Sequence, residues 1–123
     1  MMDMDDQWPI FEKLKGEKLI DYKITMIRED DNQTVMIFEN TEKIDPEETI
    51  QITITGGAIY ASQHIDKESR DAKIEEIIGK RLLSYMDWHL DTKNIPILQL
   101  ELGFEDHFVI HLGGYKTIRE NNK

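Results

Sequence analysis

The stretch ETIQITITGG, residues 48–57, alternates strictly between apolar and polar side chains. Ile50, Ile52 and Ile54 fall on one face; Thr49, Gln51, Thr53 and Thr55 fall on the other. This period of two in β-branched residues predicts a half-buried strand, and Gly56-Gly57 stops it. PILQLELG (96–103) repeats the pattern, with Leu98, Leu100 and Leu102 on one side. HFVIHLGG (107–114) does the same with Phe108, Ile110 and Leu112. QTVMIFE (33–39), KLIDYKITMIR (18–28) and RLLSYMDWHL (81–90) are further β-rich runs.

Two segments carry helical spacing instead. Pro9 suits a first helical turn, Phe11 and Leu14 would share a side, and Gly16 would end the helix. A second helix is expected from about Ser69 to Ile78. Ser69 would be its N-cap, Asp71 lies in the first turn, and Ile74, Ile77 and Ile78 make the apolar stripe. Gly79 supplies the left-handed stop.

The order of these elements repeats. GEKLIDY (16–22) is echoed by GKRLLSY (79–85). Shifting the chain by 63 residues sets Phe11 on Ile74, Leu14 on Ile77, Leu19 on Leu82 and Tyr22 on Tyr85. It also sets Val35 on Leu98 and Ile37 on Leu100. Gly56-Gly57 meets Gly113-Gly114 once a shorter offset absorbs the loop at 39–47. The expected fold class is therefore α+β: two αβββ repeats, about 8–62 and 69–120, form one pseudo-twofold domain. About six mainly antiparallel strands would carry helices packed on the sheet.

The copies disagree in their first strands. Ile20, Tyr22, Ile24 and Met26 make one apolar face, where the second copy has Leu83, Tyr85, Asp87 and His89. Leu82, Met86, Trp88 and Leu90 lie on its other side. A face cannot switch within an unbroken strand. Either a bulge near Ser84–Asp87 swaps it, or the strand is apolar on both sides and Trp88 meets a helix or a partner.

Bulk composition narrows the function classes. The 123 residues are 39% hydrophobic and 33% charged, as in one globular domain, and none is Cys. Disulfides and cysteine metal sites are excluded. The acidic start MMDMDDQWPIF does not read as a signal peptide, and no apolar run is long enough for a membrane span. A cytoplasmic protein is expected. Ile-rich, Lys-over-Arg usage suggests a bacterial source. Net charge is −10, with 15 basic residues scattered among 25 acidic ones. Nucleic acid and anionic membrane are unsuitable partners for such a surface, whereas a basic protein suits it.

The densest chemistry is MDWHLD, residues 86–91. Asp87, His89 and Asp91 share a face of a regular strand about 7 Å apart, close enough to converge on a ligand. Glu101 and His111 lie on other predicted strands. His107 and His111 are about 13 Å apart along a strand, too far to share an ion unaided. His64 sits in an apparent loop. None of Ser62, Ser69 and Ser84 stands in a G-x-S-x-G motif, and the Gly pairs do not extend to a phosphate loop.

These features favour a small protein-binding module without catalysis, cofactor or metal, as monomer or homodimer. Its finer form is an immunity- or antitoxin-type inhibitor of a basic partner enzyme. The contact residues would be Glu29, Asp30 and Asp31 in the first strand loop, with Asp87, Trp88, His89 and Asp91. The alternative is a small-ligand or metal-binding enzyme domain with its site between the repeats near His89.

Overall fold

The alternating stretches form strands, and their apolar sides meet in a common core. The computed structural model describes residues 8–28, 31–41, 49–56, 58–90, 95–103 and 106–120. One α-helix, α1 (Trp8–Leu14), precedes β1 (Leu19–Arg28), β2 (Asp31–Glu39) and β3 (Thr49–Thr55). Then follow β4 (Ala58–Ile65), β5 (Glu68–Asp71), β6 (Leu82–Leu90), β7 (Ile95–Leu102), β8 (His107–Gly113) and β9 (Thr117–Glu120). All pairings are antiparallel, in one sheet of order β1-β2-β3-β9 and another of order β5-β4-β8-β7-β6. A single buried cluster draws Met36, Phe38, Ile52 and Ile54 from the first sheet and Leu98, Leu100, Leu102, Ile110 and Leu112 from the second.

This architecture corrects the expected α+β class. The described residues are nearly all sheet, and no helix spans 69–78. Ser69 lies instead in β5, which folds back on β4 through a turn at Asp66 with φ +56°. The amide of Ala72 donates to the Ala61 carbonyl and extends that hairpin. Only Ile74–Glu76 forms a helical turn, of 3-10 type. Its spacing suffices to bury Ile74 and Ile77 while Ile78 stays exposed. Strands β4, β5 and β9 lie outside the six expected, so the described residues form nine strands. No helix among the described residues is long and apolar enough to cross a membrane.

The echoed segments lie side by side. Gly16 N–H donates to Leu82 O at 2.8 Å, and Gly79 N–H donates to Leu19 O at 2.7 Å. Leu19 N–H donates to Lys80 O at 2.9 Å, and Leu82 N–H donates to Glu17 O at 3.0 Å. Each bond becomes its mate when residues 63 apart are exchanged, and the bridge between Lys18 and Arg81 maps onto itself. Gly16 and Gly79 both need the left-handed region, at φ +85° and +92°. Farther out, the Tyr22 hydroxyl donates to Glu75 at 2.9 Å, and the Tyr85 hydroxyl donates to Glu12.

The fourth strands cross over in the same sense. β4 follows β3 but pairs with β8; β9 follows β8 but pairs with β3.

The register resolves the puzzle of the first strands. β1 is irregular between Leu19 and Asp21, and β6 between Leu82 and Ser84. Ile20 and Leu83 are thus equivalent extra residues, and both are exposed. The bulge lies just before the expected Ser84–Asp87 stretch and is present in both halves. Inward positions on the second strands are Met36 and Phe38, matching Leu100 and Leu102. The offset there is one residue more than the ungapped alignment assumes.

Candidate functional site

Beyond the bulge, strand alternation sorts β6 cleanly. Asp87 pairs with Leu98 and His89 with Pro96, on the core side of the sheet near its end. His89 is exposed there. Trp88 pairs with Ile97 and faces the opposite way. So Trp88 is parted from Asp87 and His89. Glu29, Asp30 and Asp91 lie outside the described residues, and Asp31 opens β2 opposite Arg28.

The outer face of the five-stranded sheet gathers a different set. Trp88 is half-buried, and its indole N–H donates to Gln99 Oε1 at 3.1 Å. His111 Nε2 donates to the same oxygen at 3.0 Å, and its ring meets Trp88 edge-on at 6.2 Å. A carboxamide oxygen only accepts, so His111 in its neutral form carries its proton on Nε2. Burial, and secondarily the charge of His64, push the His111 pKa down. The imidazole is therefore neutral at pH 7.

One register step along, Glu101 is held from two sides. Ser84 Oγ donates to Oε2 at 2.5 Å, and His107 Nε2 donates to Oε1 at 2.8 Å. The Ser84 bond first, and then the His107 bond, keep the Glu101 carboxyl below the usual carboxylate range against the opposing effect of burial. His107 stands directly across from His64, with ring centroids 5.5 Å apart. His64 Nε2 and Ser62 Oγ are hydrogen-bonded at 3.2 Å. At the far edge, the hydroxyl of Tyr60 donates to Asp71, and that bond raises the phenol's pKa.

Glu101→Gln is expected to cost about 1 kcal/mol at pH 7, the usual order for a hydrogen bond to a charged group at a partly exposed position. The folded pKa lies below the ordinary 4.5, so this stabilisation is complete above that value and fades as pH falls through the lowered one. Urea unfolding of the two proteins should differ at pH 7, and the difference should shrink as pH falls below 4.5. A difference that persists in acid would assign the loss to packing.

A concavity lies between α1 and β6. It is an open groove of 450 Å³ lined by Glu12, Lys15, Ser84 and Tyr85. Lys15 Nζ stands 5.9 Å from the Tyr85 ring centroid. Burial, aided by the Glu12 bond, pushes the Tyr85 pKa up to about 12, so the phenol keeps its proton. Among the described residues, no group of three or more His, Asp or Glu side chains is arranged to hold a metal ion.

Three outer-face residues, Tyr60, Ser62 and His64, stand on a strand that the pattern left as loop. The signal was present: Tyr60, Ser62 and His64 alternate with Ile59, Ala61 and Ile65, apart from Gln63. Compared with known protein families, curated proteins and solved structures, the chain matches none.

Proposed function

We propose that the chain is a protein-binding module whose outer face, across β5-β4-β8-β7-β6, takes a basic partner. The observation that carries this reading is the make-up of that face. Tyr60 and Met86 are exposed, Trp88 is half-buried on the same face, and Glu101 and Asp71 supply charge. The described outward positions of these strands hold no Lys or Arg. Trp and Tyr are the residues that most often anchor interfaces. Here their polar tips are already hydrogen-bonded, which lowers the ordering cost of association. A net charge of −10 adds attraction toward a basic surface. In its finer form the module is an inhibitor of immunity or antitoxin type that occludes a basic enzyme.

Affinity capture from source cells tests this with two baits, the parent chain and Tyr60→Ala/Trp88→Ala. The parent is expected to retain a stoichiometric basic protein, and the double variant is expected to lose it, each anchor contributing about 2 kcal/mol or more. A parent bait that retains no stoichiometric protein would end the proposal. So would a partner held equally by both baits.

A further inference from the structure

We propose that this face is pH-gated: protonation of His64, His107 and His111 reverses the sign of its charge and releases the basic partner. The inference rests on the binding reading above and names the regulation of that same face.

Three imidazoles stand on one sheet surface among few other charges. His64 is faced by Ser62 on its own strand, Ser69 across on β5 and His107 across on β8. His107 is faced by His64 from β4 and Glu101 from β7. Its chain neighbour Asp106 is paired with Lys80. His111 is faced by Gln99 from β7, Trp88 from β6 and Tyr60 from β4, and the charges of His64 from β4 and Glu101 from β7 act on it in opposite directions. Among the described residues, two carboxylates set the sign of the face at neutral pH: Glu101, held by Ser84 and His107, and Asp71, held by Tyr60. Imidazole is the side chain that charges between neutral and mildly acid pH. Three imidazolium charges outweigh two carboxylates, and a surface complementary to a basic protein becomes repulsive to it.

The geometry also staggers the change. The His64 and His107 rings are 5.5 Å apart, so charging both would crowd like charges together. Neutral His111 already donates through Nε2 to Gln99, so its added proton enters on Nδ1 without breaking that bond. Burial delays that event to lower pH than for a free imidazole. Release is thus graded, and is completed when His111 charges beside Trp88.

The test uses the whole chain with Trp8→Phe, which leaves Trp88 as its single indole, and deca-lysine as the basic probe at constant ionic strength. Deca-lysine is expected to bind about tenfold more weakly at pH 5.5 than at pH 7.5, and Trp88 emission should fall over the same interval. The variant His64→Gln/His107→Gln/His111→Gln, checked by circular dichroism for its fold, should bind with the same affinity at pH 5.5 as at pH 7.5, whatever that affinity is. A change under twofold in the parent, or an equal loss in the triple variant, overturns the gating while leaving the binding reading intact. Asp71→Asn/Glu101→Gln should abolish the interaction at pH 7.5. If deca-lysine binds this variant as tightly as the parent, the face is not the basic-partner surface and both readings fall.

Discussion

Gly103→Ala is expected to be among the most damaging single substitutions in the chain. Gly103 follows β7 with φ +127°, a conformation closed to side-chain-bearing residues. A Cβ there would occupy the place of the Asp106 carbonyl oxygen, a backbone atom that cannot swing aside. The Gly103 amide also donates to Arg81 O at 3.0 Å and ties the β7–β8 connection to the junction of the two halves. The cost is expected to be about 4 kcal/mol or more, a large part of a typical domain's stability. Gly16→Ala is the natural comparison. Its φ is also positive, but a Cβ there meets nothing within 4 Å, so about 1–2 kcal/mol is expected. Urea denaturation of both variants reads the contrast. A loss under about 1 kcal/mol for Gly103→Ala would show that this connection has another path.

The second large effect belongs to the junction itself. Leu19 and Leu82 are fully buried, occupy equivalent places, and border the same mirrored set of backbone bonds. Truncation of either to alanine removes a core side chain and leaves a cavity, at about 3 kcal/mol. The two losses should agree to within about 1 kcal/mol, because the same neighbours recur by exchange of the halves. Separate denaturant titrations of Leu19→Ala and Leu82→Ala measure this. A gap beyond about 2 kcal/mol would mean that the matched bonds hide unequal packing.

The strands most legible in the sequence bury one complete apolar face. Ile50, Ile52 and Ile54 alternate with polar residues, and all three are buried. Leu98, Leu100 and Leu102 follow the same rule. Edge and exchanged strands lack that contrast. β5 is exposed at all four positions, and β9 buries only Ile118. The partner of β9 lies far away in the chain, so local patterning does not announce it. The false helix has a related origin. Ile74 and Ile77, three apart, suit one 3-10 turn as well as a longer helix, and the preceding ESRD segment was free to pair with β4. The echo between GEKLIDY and GKRLLSY was legible, yet its meaning as a mutual contact required the register.

The outer face was hidden for the same reason. Tyr60, His64, Trp88, Gln99, Glu101, His107 and His111 come from four strands, one or two residues from each. Local clustering drew the eye to Asp87, Trp88 and His89, which adjacent strand positions send to opposite faces. Glu101 and His111 could be named as candidates but not placed. Pairing brought them beside His107 and Trp88.

The central claim is that this outer face is the binding surface. The most direct measurement is the ¹H–¹⁵N spectrum of the labelled chain titrated with its captured basic partner at pH 7.5. The expected result is that shifts concentrate at Tyr60, His64, Gln99, Glu101, His107, His111 and the indole N–H of Trp88. Shifts confined to Asp87, His89 or residues 29–31, with the Trp88 indole unmoved, would contradict it.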